Sequence, residues 1–198
     1  MLTDWLHRLV ARPRIYDFCQ RAVGADYMRS RLAKRIAPQR SARMVLDIGG
    51  GTGAVRALWS DKSHYVCLDI DPLKIMGYRA KNPGALALIA DATNLPIASR
   101  SVDAVLCTLV THHLIDAELD LMLAESARVL KRDGRLILLD AVWAASRLAG
   151  RLLWKYDRGS HPRTEERLRQ AIGAHFEMME WEQFAVLHRY IVAVGRPR

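Results

Sequence analysis

Five short runs of Val, Ile and Leu recur at a steady stride through the middle of this 198-residue chain, and they restrict its fold more than any other feature. They are MVLDI (44–48), YVCLDI (65–70), LALIAD (86–91), VDAVLCTLV (102–110) and RLILLD (135–140). Each run is continuous rather than alternating, as a strand buried on both faces must be. Asp47, Asp69 and Asp91 fall 22 residues apart, room for a strand, a turn, a crossover helix and a second turn. Alternating β and α units predict a parallel sheet with helices on both sides.

The segments around these runs complete the pattern. Leu119, Met122, Leu123, Ala127 and Leu130 make one apolar helical face. Asp116, Glu118 and Asp120 stand in its first turn, Arg128, Lys131 and Arg132 in its last, and Gly134 reads as its stop. Before the sheet, Ile15, Phe18, Cys19, Ala22 and Val23 predict an amphipathic helix that resumes through Met28, Leu32 and Ile36. After it, 164–174 reads as a helix, and 177–184 and 188–194 as two strands. With no helix between them, those two should pair antiparallel at the sheet edge. The expected fold is α/β, a Rossmann-like doubly wound sheet of seven mostly parallel strands with an antiparallel C-terminal edge hairpin.

Length and composition fit one domain: 51% apolar and 26% charged residues rule out a disordered or low-complexity chain. No apolar stretch approaches a membrane span, and Asp4, His7, Arg8 and Arg12 occupy the place of a signal peptide's apolar run. Cys19, Cys67 and Cys107 are odd in number and far apart, so neither disulfides nor a zinc knuckle are expected, and the compartment reads as reducing cytoplasm. The net charge of +9 is uneven: residues 1–43 carry ten basic side chains against three acidic, whereas 44–143 carry ten against twelve. A basic head suits an anionic partner or a solvated helix.

Chemistry concentrates at the carboxyl ends of the expected strands, where open α/β sheets bind ligands. Asp47, Asp69, Asp91 and Asp140 all fall there, although an Asp in such a place also caps helices. The first strand runs into a glycine cluster, VLDIGGGTG (45–53), which lets a ligand approach bare backbone and presents free N–H groups. Gly49-x-Gly51-x-x-Ala54 alone fits a dinucleotide fingerprint weakly. Asp47 changes that reading, because a carboxylate there repels a pyrophosphate and favours a cation. Asp69, 20 residues after Gly49, stands where an acid meets ribose hydroxyls. The implied ligand is a nucleoside with a positively charged end and no phosphate.

These motifs resemble the class I S-adenosylmethionine-dependent methyltransferases, in particular their small-molecule (Methyltransf_11-like) branch. VLDIGGGTG is similar to their first motif and YVCLDIDP (65–72) to the second strand with its ribose-binding acid. ADATNLPIASRSVDAVLCTLVTHHL (90–114) is similar to the adenine-binding and fourth-strand region, and ARVLKRDGRLILLD (127–140) to the helix and strand that follow. The resemblance covers residues 42–141 and implies S-adenosyl-L-methionine as cofactor. It implies that Gly49, Gly51 and Gly53 line the methionine end and that Asp69 binds the ribose diol. It places Asp91 and Ala92 at the adenine and Thr108 under the sulfonium, with Asp47, Gly50 and Ile70 completing the cofactor set. It further implies a division into a helical N-terminal lid (1–43), a cofactor-binding core (44–141) and an acceptor-selecting region (142–198).

Several subclasses are disfavoured. The place of the Asn/Asp-Pro-Pro-aromatic motif of nucleic-acid amino methylation reads TLVTHH. Cys107 follows Leu106 rather than Pro and reads as core, not as a cytosine-C5 nucleophile. No cluster has the spacing of a metal site. His112 and His113, just past the fourth strand, are the candidate catalytic residues, because a hydroxyl nucleophile benefits from a base near neutral pKa. Their adjacency predicts rings that point different ways, one packing and one serving.

The expected function is methyl transfer to oxygen or carbon of a small organic acceptor: a metabolite, quinone, lipid or natural product. The alternatives are an RNA methyltransferase, which the charge favours and the lack of an RNA-binding module disfavours, and a non-catalytic cofactor-binding scaffold. A NAD-dependent dehydrogenase is disfavoured by Asp47. WKYDRGSHPR (154–163) reads as a loop over the site, and Tyr16, Tyr27, Met28, Trp143, Trp154, Tyr156 and His161 as candidate pocket walls or core. The charge of the head fits an acidic or lipid-like acceptor or a peripheral membrane contact. If membrane contact is its use, the protein should co-sediment with anionic but not neutral vesicles and be released by salt, each basic residue at the surface adding about 1 kcal/mol. Equal pelleting with both vesicle types, or none at low salt, argues against it.

Overall fold

Neighbouring residues of the central runs point into different cores, which is why those runs are apolar without interruption. The computed structural model describes residues 24–157 and 160–198. Leu46, Ile48, Leu68, Val105, Cys107, Leu136 and Leu138 enter one core, and Val45, Cys67, Ala104, Leu106, Ile137 and Leu139 enter the other. The runs form β1 (Met44–Ile48), β2 (His64–Asp69), β3 (Leu86–Ile89), β4 (Val102–Thr108) and β5 (Leu130–Val142). They are joined by β6 (Phe176–Ala185) and β7 (Arg189–Pro197) in the order β3-β2-β1-β4-β5-β7-β6. The first five are parallel, β7 runs antiparallel between β5 and β6, and strand order reverses between β1 and β4. The expected seven-stranded, mostly parallel sheet with an antiparallel hairpin is thus present.

The helices cover the two faces. α1 (Ala25–Ile36) buries Met28, Leu32 and Ile36, and α2 (Pro72–Lys81) buries Ile75 and Tyr78, all in one core. α3 (Asp116–Val129) and α5 (Glu165–His175) place Leu119, Met122, Leu123, Leu168 and Ile172 in the other. α4 (Leu148–Tyr156) follows β5 and buries Trp154. The caps are legible in the sequence. Asp71 accepts from the Leu73 N–H at 2.8 Å with Pro72 in the first turn of α2, and the Thr164 hydroxyl accepts from the Arg167 N–H at 3.4 Å.

Part of the basic head has partners in the fold. Arg31 meets Glu182 at 2.5 Å, and Arg35 meets Glu180 at 2.7 Å and Glu182 at 2.8 Å, so β6 acids hold α1 against the sheet. The N-terminal helix expected through Ile15 and Val23, and the candidate pocket residue Tyr16, lie outside the described residues. Among the described residues no helix is long and apolar enough to cross a membrane. Cys67 and Cys107 are free, buried thiols, as a core reading requires.

Two local expectations differ. The connection after β1 is a series of turns with one 3-10 turn, Arg56–Leu58, instead of an α-helix. Gly49, Gly51 and Gly53 all hold positive φ there, which breaks helical continuity. α3 ends at Val129 rather than at a Gly134 stop, since Leu130 is already extended and starts β5, carrying Lys131 and Arg132 with it. Gly134 sits inside β5, where a Cβ would stand 3.0 Å from the carbonyl oxygens of both Asp103 and Lys131.

Phe176 begins β6 fully buried where α5 and the hairpin meet the sheet. Phe176→Ala should cost about 3–5 kcal/mol, read from urea unfolding followed by circular dichroism, with the slope against denaturant unchanged.

Candidate active site

The reversal of strand order leaves a crevice at the carboxyl ends of β1, β2 and β4, and a cavity of about 190 Å³ occupies it. Its walls include Gly49 after β1, Asp69 and Ile70 at the end of β2, Asp91 and Ala92 after β3, and Leu109, Val110 and His113 after β4. Five of the residues chosen from the sequence therefore line this space, Gly49, Asp69, Ile70, Asp91 and Ala92, and Gly51 is bonded to one of them, Asp69. Concavities of about 920 and 980 Å³ exist elsewhere, one around Arg128 and Arg196 and one around Trp59 and Ser63, but neither touches the glycine turn or these acids.

Asp69 is buried and pre-positioned. One carboxylate oxygen accepts from the Gly51 N–H at 3.0 Å, the other from the Asp71 N–H at 2.9 Å, and Lys74 lies 3.7 Å away. Each oxygen keeps a second lone pair for a ligand hydroxyl. Asp91 is exposed and braced by Thr93, whose N–H and hydroxyl both donate to it at 2.8 Å. Ile70, 69% exposed, offers an apolar surface at the rim. Gly51 is the open point of the turn: with φ of 55°, a Cβ there would meet only the Lys74 side chain and Asp69, at 3.9–4.0 Å. Gly49 is closed in contrast, since a Cβ would stand 2.2 Å from Val110. Gly50 donates its N–H to the Leu68 carbonyl at 3.0 Å, and Gly53 lies over the Tyr78 ring.

Asp47 occupies a different environment from the other three acids. It is fully buried beneath the glycine turn, lines neither cavity described here, and takes a hydrogen bond from the Tyr65 hydroxyl. Burial pushes its carboxyl up to about 7, against the opposing effect of Tyr65. Its Oδ1 has no donor among the described residues. Gly51, four residues further on, is the point where the turn above it stays open.

A second cavity, about 180 Å³, lies beside the first and shares Leu109 with it. Thr108, Leu139, Ala54 and Val55 line it, with Ala25, Asp26, Met28, Arg29 and Leu32 of α1. Leu109 has φ of 57°, a left-handed conformation that costs a residue with a Cβ about 1–2 kcal/mol. Its N–H donates to the Leu139 carbonyl at 2.9 Å, which fixes this strained residue between the two spaces. Nothing in the sequence signalled it.

The two histidines share a short 3-10 turn, Thr111–His113, and their rings lie together, centroids 4.1 Å apart, instead of diverging. His112 is buried. Its Nδ1 meets Asp140 Oδ1 at 2.5 Å, and its Nε2 stands 3.6 Å from Asp157. Burial pushes its imidazole down, but the Asp140 charge and hydrogen bond outweigh that, so the net direction from 6.5 is upward. Asp140 also accepts from the Thr111 hydroxyl at 2.5 Å and from the Ala141 N–H at 2.7 Å. His113 is driven down from 6.5 by burial and by the neighbouring His112 charge, and it is the histidine that lines the first cavity. The fold also gathers His112, His113 and Asp157 so that one ligand atom of each lies within 4.8 Å of the others, a group that spacing in the sequence did not reveal.

Arg163 holds this turn in place and escaped sequence reasoning altogether. Buried to 7% exposure, it donates to the carbonyls of Thr111 at 2.8 Å and Leu114 at 2.5 Å and to Asp116 at 2.6 Å. The His161 N–H reaches the His112 carbonyl at 2.5 Å. The polar segment around 160–163 thus packs against the histidine turn. Trp154 packs edge-on to His112 at 5.4 Å, whereas Tyr27 lies 42% exposed against Phe184. Trp143 is bridged to Thr164, beside Arg163.

Residues 46–138 match the sequence profile of a family described as a methyltransferase domain. Over 154 residues the chain is 31% identical to the ubiquinone/menaquinone biosynthesis C-methyltransferase UbiE of Sinorhizobium fredii, covering 71% of this chain and 58% of that protein. An uncharacterised methyltransferase of Mycobacterium tuberculosis is 36% identical over 100 residues, or 50% of this chain and 40% of its own length. The chain therefore spans less than two thirds of these relatives. Among solved structures, magnesium protoporphyrin IX methyltransferase from Synechocystis PCC 6803, with bound SAH, superposes with a TM-score of 0.75. It is 17% identical, and the match covers 99% of this chain and 94% of that one.

The His112 contribution gives a pH signature. Because its folded value is raised, the stability it adds is fully present below about pH 6.5 and fades as pH rises through the folded value. Urea unfolding at pH 6 and pH 9 should show wild type losing more stability than His112→Asn over that interval. Arg163→Ala should destabilise by about 1–3 kcal/mol, since it takes the guanidinium from the Leu114 carbonyl and leaves Thr111 only the Leu114 N–H, and calorimetric melting would show it.

Proposed function

The chain belongs to the class I S-adenosylmethionine-dependent methyltransferases, and on that premise we propose that it methylates a small organic acceptor at oxygen or carbon. One observation carries the reading: the cavity at the strand reversal joins a pre-positioned acid pair, Asp69 and Asp91, to His113 across a single apolar wall. The cofactor of this family supplies an electrophilic methyl group on a sulfonium. Asp69 and Asp91 with Ala92 suit its ribose and adenine, Ile70 and Leu114 its flat faces, and Gly49 and Gly51 the passage toward Thr108. An in-line displacement needs little beyond alignment, so rigid placement by this turn and by β4 supplies much of the rate.

His113 then acts as the base toward a hydroxyl or enol acceptor. It faces the cavity, and burial together with the neighbouring His112 pushes its imidazole below 6.5, toward the neutral form a base needs. His112 works behind it as a positioning residue, pinned by Asp140. The second cavity's apolar lining and the remaining basic charge of the head favour an acceptor with an apolar body, acidic or lipid-like in character, and the core-plus-lid division of the chain follows from the same reading. A soluble cytoplasmic setting accords with it.

Purified protein should bind S-adenosylhomocysteine and not NAD. Asp69→Ala should weaken that binding by about 1.5–3 kcal/mol, read by titration calorimetry. An unchanged affinity removes Asp69 from the site. His113→Ala should lower turnover by about 10²–10⁴-fold with cofactor affinity nearly intact, and the wild-type rate should rise with pH through a value below 6.5 and level off. Cofactor affinity falling in step with rate would mark His113 as a packing residue instead.

A further inference from the structure

Two charged side chains near the start of α1, Asp26 and Arg29, have no side-chain partner among the described residues, although Asp26 stands in the helix's first turn, where an acid is favoured. They stand one turn apart on one side of the helix and line the second cavity with Ala54, Val55, Thr108 and Leu109. The orientation of α1 is set by other residues: Met28, Leu32 and Ile36 are buried, and Arg31 and Arg35 are tied to β6. Among the described residues, neither Asp26 nor Arg29 has a side-chain hydrogen bond or an ion pair, with each other or with any neighbour, whereas Arg31 and Arg35 on the same helix have both. An opposed pair of charges is therefore left facing a cavity that is otherwise apolar.

The geometry between the cavities says what such a pair can hold. Gly49 lines the first cavity, and Ala54, just past the same glycine turn, lines the second, with Leu109 as their common wall. A ligand whose nucleoside lies against Asp69 and Asp91 and which follows the turn brings its other end to Asp26 and Arg29. In S-adenosylmethionine that end is an α-amino acid, the one part of the molecule with a carboxylate and an ammonium on the same carbon. A zwitterion needs one cation and one anion, and charge-assisted hydrogen bonds to each are the stronger kind. Asp47 lines neither cavity: it lies buried beneath the glycine turn and accepts from the Tyr65 hydroxyl.

We propose that Arg29 and Asp26 form the clamp for the amino-acid end of the cofactor, Arg29 taking the α-carboxylate and Asp26 the α-ammonium. This rests on the methyltransferase reading and names residues that the four sequence motifs do not contain. It gives α1 two tasks in one helix: its apolar face closes a core, and its opposite charges near the N-terminal end read the cofactor.

The test compares two ligands on the full chain by titration calorimetry: S-adenosylhomocysteine, and 5′-methylthioadenosine, which lacks the amino-acid end. Arg29→Gln and Asp26→Asn should each weaken S-adenosylhomocysteine about tenfold or more, the effect of one hydrogen bond to a charged group, and leave 5′-methylthioadenosine unchanged. The double variant should bind the two ligands nearly alike, and Arg29→Lys should recover part of the loss. Unaltered S-adenosylhomocysteine affinity in both variants overturns the clamp, and so does an equal loss for both ligands, which would mean that α1 had moved. A rise in acceptor KM with both affinities intact would assign the pair to the acceptor and also overturn it. Wild type that binds neither ligand would refute the cofactor reading itself, a result distinct from all of these.

Discussion

The burial of β1, β4 and β5 on both faces is the constraint on which the rest of this protein depends. Helices cover both faces, so consecutive central strands are joined by crossovers over the sheet and β1 to β5 run parallel. Parallel strands put all their carboxyl ends on one edge. Where the order turns back on itself, between β1 and β4, the loops separate and leave a crevice at that edge. The polar residues that close the apolar runs are thereby gathered in one place, although in the sequence they lie about twenty residues apart.

Gathering them does not give them one task. Asp69 is held by two backbone N–H groups and keeps capacity for a ligand, and Asp91 is exposed and braced by its own turn. Asp47 lies beneath the glycine turn with its charge disfavoured by burial, and Asp140 anchors His112. Four carboxylates that look alike in the sequence divide into cavity-lining and buried supporting ones because the protein differs around each: desolvation in one case, backbone donors in another, an imidazole in the third. The same holds for the histidines. Asp140 pushes the buried His112 up, while burial and the neighbouring His112 push His113 down at the cavity wall.

The basic character of the chain is also divided by tertiary structure. Arg31 and Arg35 serve to hold α1 on the acidic face of β6, and Arg163 is consumed by the carbonyls of the histidine turn. A net charge read from composition treats such residues as available to a partner. The fold ties down these three, and at the crevice Lys74 stands near Asp69 while Arg29 lines the second cavity.

What the sequence determined by itself was whatever is encoded in local periodicity and local chemistry. Continuous apolar runs 22 residues apart specified parallel buried strands, glycines after β1 specified a turn of positive φ, and acids in the first turns of α3 and α5 marked where those helices start. The motif residues Gly49, Asp69, Asp91 and Ala92 were legible because each sits at a strand end, and strand ends are fixed by the runs. Tertiary structure alone decided the rest, since it turns on contacts between residues distant in the chain. Arg163 reaches Thr111 across 52 positions, the left-handed Leu109 is tied to Leu139, and the buried Asp47 is bonded to Tyr65. No local pattern announces such pairings: they arise when the sheet closes and desolvation ranks otherwise identical side chains by their surroundings.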